Sequence, residues 1–118
     1  MKKLNSKVIY HGGTIPVPSY FQKGTLELQD SLVRFHARGE SEKYDIDIRI
    51  PLSKLRRVVA EEKKYYSSTG YFLIIQYADA ADAQQKLEVE IRCFGRRGTA
   101  QAVARLWAQT LSENIQPA

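Results

Sequence analysis

The stretch Lys23–Leu55, KGTLELQDSLVRFHARGESEKYDIDIRIPLSKL, decides the fold. It reads as three consecutive strands in which apolar and polar residues alternate. Leu26 and Leu28 share one face of the first, and Val33 and Phe35 share one face of the second. Tyr44, Ile46, Ile48, Ile50 and Leu52 form a period-2 stripe in the third. Successive side chains of a strand point to opposite faces, so this stripe makes a dry side. Asp45, Asp47 and Arg49 stand between its members and make a wet one. Asp30-Ser31 suits a tight turn between the first two strands, because these short side chains bond nearby backbone groups.

Working outward toward the N-terminus, Lys7–His11 (KVIYH) predicts a strand. Gly12–Phe21 carries two glycines and two prolines and predicts a loop or irregular edge. In the other direction, Arg38–Glu42 is a polar loop and Tyr44–Leu52 a strand. Lys54–Glu62 is a further strand or a short irregular piece, and Tyr65–Gly70 a loop. Tyr71–Tyr77 (YFLIIQY) is a strand dense in aromatic and β-branched residues, Asp79–Gln85 a turn, and Lys86–Phe94 the seventh strand.

The period then changes. Val103, Leu106, Trp107, Thr110 and Leu111 recur at i, i+3, i+4, i+7 and i+8, which predicts one face of an amphipathic helix over about 99–115. Gly98 breaks the preceding strand and Thr99 is the expected N-cap. Trp107 lies within the apolar stripe, so it is read as a core residue rather than as an exposed anchor. No repeat or linker interrupts the pattern, and the chain reads as one domain over 1–118.

With 118 residues and 43% hydrophobic content, the composition is that of an ordinary globular domain with a real core. Cys93 is the single cysteine, so no intrachain disulfide forms, and its place in the alternation of Leu87, Val89 and Ile91 suits a buried thiol. Asn5, Ser6, Lys7 and His11 break up any secretory apolar core, and the longest apolar run, Tyr71–Ile75, is too short to span a bilayer. The expectation is a cytoplasmic chain able to lie peripherally at a membrane. Net charge is +5 and unevenly placed. Lys2, Lys3, Lys7 and Lys23 face no acid within 1–26, and neither do Arg92, Arg96, Arg97 and Arg105 within 91–111. Such blocks attract anionic partners, although a surplus of this size also serves solubility alone.

Catalysis finds little support. His11 and His36 lack neighbours of nucleophile or metal-ligand type, and the nucleophile-elbow, phosphate-loop and zinc-helix motifs are absent. Asp45 and Asp47 resemble paired carboxylates, yet Arg49 continues their row, so a solvated charge ladder is the better reading. No cofactor and no metal site is expected. Arg56, Arg57, Lys63, Lys64, Tyr65 and Tyr66 interleave cations with rings, a pattern suited to single-stranded nucleic acid. Glu61 and Glu62 within it favour a salt-bridged hairpin instead.

Seven strands and a terminal helix in this order resemble the pleckstrin-homology superfold. The wording Lys23-Gly24-Thr25-Leu26-Glu27-Leu28, Leu32-Val33-Arg34-Phe35 and Ile50-Pro51-Leu52-Ser53-Lys54-Leu55 with Val58 is similar to its GRAM and bacterial PH-like branch. The resemblance implies a mainly β fold: a partly open barrel of two antiparallel sheets, one end plugged by the helix through Trp107. It implies a ligand end built by Gly12–Lys23, Arg38–Lys43 and Asp79–Gln85. Lys23 is the one cation in the first of these loops, with Lys7 on the strand before it, which departs from the basic cup of phosphoinositide-binding members. Tyr20 and Phe21 in that loop suit insertion into a partner or a lipid interface. The function expected is therefore a non-catalytic adaptor that binds a protein partner, with weak attachment to an anionic membrane. Nucleic-acid binding through 54–66 is the alternative, and edge strands suit a homo-oligomer.

Overall fold

The computed structural model describes residues 3–13, 22–39, 45–65, 68–92 and 97–115. Tyr20, Phe21, Tyr44, Tyr66, Cys93 and Pro117 lie outside the described residues. Among the described residues, seven strands run in sequence: β1 Leu4–Gly13, β2 Lys23–Gln29, β3 Leu32–Ala37, β4 Ile46–Pro51, β5 Leu55–Tyr65, β6 Ser68–Ala78 and β7 Gln84–Ile91. One helix, α1, spans Arg97–Ser112. The strands join in one antiparallel sheet of order β4-β3-β2-β1-β7-β6-β5. Each neighbour in sequence is a neighbour in space except at the middle, where β1 pairs with both β2 and β7.

The three patterned strands form as their alternation dictates. Leu26, Leu28, Val33, Phe35, Ala37, Ile46, Ile48 and Ile50 are buried, and the residues between them face solvent. Asp30-Ser31 is the β2–β3 turn, with Asp30 at φ 57°. That left-handed conformation is one that Asp tolerates. Leu52 leaves the strand for a short 3-10 turn, Leu52–Lys54, and donates its N–H to Ser31 O at 3.0 Å. This bond ties the exit of β4 to the β2–β3 turn.

Several elements depart from the sequence pattern. β1 continues through Gly12 and Gly13, where a loop is expected, and its register against β7 shifts between Tyr10 and Gly12. The shift is a bulge, the other use to which the two glycines are suited. A Cβ on Gly13 would stand 2.1 Å from Lys86 O, so β7 runs too close for any other residue. Tyr65–Gly70 is not one loop. Tyr65 pairs with Ser68, Lys64 with Thr69 and Lys63 with Gly70 in a long β5–β6 hairpin. Serine, threonine and glycine signal turns only weakly when a paired strand supplies their backbone bonds.

The helix also starts earlier, so Gly98 and Thr99 are its second and third residues rather than a break and a cap. Its buried line is Ala100, Ala104, Trp107, Thr110 and Leu111, while Leu106 is 36% exposed. At 100° per residue Leu106 falls about 120° from the centre of that line. The alanines take its place because small residues let the helix lie close against the sheet. α1 packs on β5, β6 and β7. Trp107 is fully buried and donates Nε1–H to Ser6 Oγ at 2.9 Å, which joins the helix to β1. Ser112 Oγ donates to Val58 O at 3.4 Å, and Asn114 Nδ2 donates to Thr110 O at 2.8 Å, satisfying a carbonyl of the last turn.

Candidate binding surface

The outer face of the sheet, opposite the main core, gathers the charged residues into two groups. On the β2–β4 side, Arg34 grips Asp47 with both prongs of its guanidinium, Nε to Oδ1 and Nη2 to Oδ2, each at 3.0 Å. Arg49 adds a 3.4 Å contact to the same carboxylate. The Arg34 hydrogen bonds hold the Asp47 carboxyl below the usual carboxylate range. His36 Nε2 lies 3.1 Å from Glu27 Oε1. The ladder reading of Asp47 and Arg49 is what the geometry contains, with Asp45 turned instead to the backbone N–H of Gly39 at 2.8 Å.

On the β1, β7, β6 and β5 side, the register sets Ile9 opposite Glu90, Glu90 opposite Phe72, and Phe72 opposite Glu61. Phe72 is 1% exposed although it belongs to the outer face. The His11 ring meets it edge-on at 4.7 Å, and Lys63 Nζ stands 4.9 Å above it. A cation over an aromatic face is attracted by the ring quadrupole. Lys63 Nζ also donates to Glu88 Oε1 at 2.5 Å, and His11 Nε2 lies 2.9 Å from Glu90 Oε1. Both imidazoles and both glutamates of β7 therefore take part in packing the sheet's outer face.

The predicted basic–aromatic segment does not form one surface. Alternation along β5 puts Arg57 and Lys63 on the outer face and Lys64 on the inner side. Arg56 sits at a bulge between Leu55 and Arg57 and donates to Ser53 O and Leu55 O. Lys23 begins β2 opposite Ile9 and is exposed.

Register brings Lys23 together with Lys7, on the strand before it, and with Arg92, which nothing in the sequence links to either. Lys7 is opposite Thr25, two places along β2 from Lys23. Arg92 donates its backbone N–H to Lys7 O at 3.1 Å, which sets it directly across from Lys7, one step beyond the Val8–Ile91 pair. Lys7 and Lys23 have no ion-pair partner among the described residues, and Arg92 reaches Glu90 only at 4.0 Å. Residues so far apart in the chain become neighbours only because β1 lies between β2 and β7, and no local motif signals that.

The β6–β7 turn is shaped by Asp79. Its Oδ1 accepts the N–H groups of Ala81 and Ala83 at 2.9 Å each, and its Oδ2 accepts from Gln85 Nε2 at 2.8 Å. The turn ends at Asp82, with φ 63°, and Lys54 Nζ reaches Asp82 at 3.3 Å. The backbone bond from Ala83, then the Gln85 bond, lower the Asp79 pKa. A carboxyl whose folded pKa is depressed stabilises the fold above the ordinary Asp value of about 3.9, and this contribution fades as pH falls through the folded value. Asp79→Asn is thus expected to flatten the fall of Tm between about pH 5 and pH 2. Thermal melts across that range check it, and an unchanged slope refutes the assignment.

Among the described residues no group of three or more His, Cys, Asp or Glu side chains could hold a metal ion, and no helix is long and apolar enough to cross a membrane. Comparison with known families and curated proteins found no family model and no protein that matches this chain.

Proposed function

We propose that the chain is a PH-like, partly open barrel that acts as a non-catalytic adaptor for a protein partner. Support for the barrel comes from the core. Ile46, Ile48 and Ile50 on β4 are buried, like Leu73 and Ile75 on β6, and all belong to one apolar cluster. The helix packs on β5, β6 and β7. A flat sheet would leave β4 about five strand spacings from β6, each roughly 4.8 Å, with nothing to cover it. Curling the two halves of the sheet toward each other buries both, as the inner faces of two packed sheets form a shared core.

The observation that carries the binding role is the open edge. β4 and β5 end the strand order and each pairs with one neighbour only among the described residues. The outward backbone groups of such strands are a template for a strand from another chain. A second copy of this chain and a different protein both fit that template; the adaptor reading takes the different protein. His11, His36, Asp47 and Asp79 are meanwhile engaged in packing, pairing and turn formation. The summed basic charge adds weak attraction to an anionic membrane.

Affinity capture with the tagged full chain from its native cells tests the proposal, with size-exclusion chromatography alongside. The expected result is a discrete retained protein in fixed ratio to a monomeric bait. Self-association with no retained protein would replace the adaptor by an oligomer building block. Retention of a single-stranded oligonucleotide at low salt, lost on Arg56→Glu with Arg57→Glu, would instead establish the nucleic-acid alternative.

A further inference from the structure

We infer that the outer face of β2, β1 and β7 is a docking site for an acidic polypeptide segment, held by Lys7, Lys23 and Arg92. This rests on the chain being a protein-binding module and adds a contact away from the sheet edges. Directly opposed like charges destabilise an antiparallel pair. Lys7 and Arg92 are such a pair, fixed by the backbone bond between them. Lys23 is the diagonal neighbour of Lys7, about 7–8 Å away. The nearest carboxylates are already engaged, Glu90 with His11 at 2.9 Å and Glu27 with His36 at 3.1 Å. Three cations therefore share one exposed patch, with Glu27 and Glu90 at its margins and the Arg92 side chain 58% exposed.

The surroundings select the anion. Glu27 and Asp47 flank the patch on one side, and Glu61, Glu88 and Glu90 on the other. A lipid bilayer is a broad plane and would press those carboxylates against its own phosphates. Single-stranded nucleic acid gains affinity from accessible rings on which its bases stack. Phe72, the aromatic residue of this face, is covered by His11 and Lys63. An extended peptide is narrow enough to lie between the carboxylate borders. Its alternate side chains recur every 6.6–6.8 Å or so, close to the diagonal separation of the two lysines. The Arg92 guanidinium can meet a carboxylate with two parallel hydrogen bonds.

The test uses the full chain and a fluorescently labelled ten-residue peptide of alternating glutamate and threonine, followed by anisotropy at low and physiological salt. Binding is expected at low salt and should weaken as salt screens it. Lys7→Glu and Arg92→Glu should each weaken it about tenfold. Arg105→Glu makes the same change in net charge on an exposed position of α1 and should stay within about twofold. Lys7 is exposed, so Lys7→Glu should leave Tm near the wild-type value, which separates lost binding from lost folding. No binding at low salt, or equal loss in Arg105→Glu, overturns the inference. Tighter binding to anionic vesicles or to a single-stranded oligonucleotide, lost in Lys7→Glu, overturns it in favour of that ligand. A captured protein partner retained undiminished by a Lys7→Glu bait disproves this face while leaving the module intact. Peptide binding with no captured partner does the reverse.

Discussion

Replacing Trp107 with alanine is expected to lower stability by about 3–5 kcal/mol, read as a fall in Tm of about 12–20 °C for a domain of this size. Two losses combine. The indole is the largest fully buried side chain, lodged between the helix and the sheet, so truncation leaves a cavity that neighbouring β-structure cannot close. Its N–H also ties α1 to Ser6 on β1. Trp107→Phe separates the two, because it keeps most of the ring and leaves Ser6 Oγ without its donor. That variant should cost nearer 1–2 kcal/mol or so. A total stability at the low end of the usual range of about 5–15 kcal/mol would leave the alanine variant partly unfolded at 37 °C. Equal melting of the wild type and Trp107→Ala would show that the helix does not seal this core.

Gly24→Ala should cost about 2–3 kcal/mol despite being the smallest change available. The added Cβ would stand 2.6 Å from His36 O, 2.8 Å from Ala37 Cβ and 2.8 Å from Phe35 Cε1. Alanine restricts the unfolded chain and gains about 0.4–1 kcal/mol wherever the native backbone accepts it. Here the clash outweighs that gain, because two of the three obstacles are a paired backbone and a ring already stacked on Tyr10 at 5.8 Å. Combining Gly24→Ala with Ala37→Gly removes one obstacle and should recover part of the loss. Chemical denaturation of the single and double variants measures the coupling. A Gly24→Ala chain as stable as the wild type would mean that β2 and β3 are not in this register.

The sequence revealed most where a single face of one element was at stake. Alternation in Lys23–Leu55 located β2, β3 and β4, because burying a strand on one side leaves a period of two in the chain itself. Trp107 was legible for the same reason. Leu106 misled because a hydropathy stripe counts large residues, whereas α1 makes its approach with Ala100 and Ala104. Thr69 and Gly70 misled because turn chemistry is local and the β5–β6 pairing that overrides it is not. The surface was the least legible part. Lys63 and Lys64 are adjacent in sequence and point to opposite sides of a strand. Lys7 and Arg92 are remote in sequence and face each other. Both facts follow from register, and register is set by the whole sheet.

The position of β1 bears on the order in which the chain can be made. β1 precedes the other described strands in the chain and is the central strand of the finished sheet, between β2 and β7. The bonds that hold β1 to the later elements join distant parts of the chain: His11 with Glu90 across 79 positions and Trp107 with Ser6 across 101. At translation rates of about 5–20 residues per second, roughly 4–16 s separate the emergence of Gly13 from that of Ile91. During that interval the β7 side of β1 has no strand of its own to pair with. Nascent chains on a crowded ribosome cluster present these edges to one another. Completion of the sheet thus waits on the arrival of β7 and does not proceed by growth outward from β1.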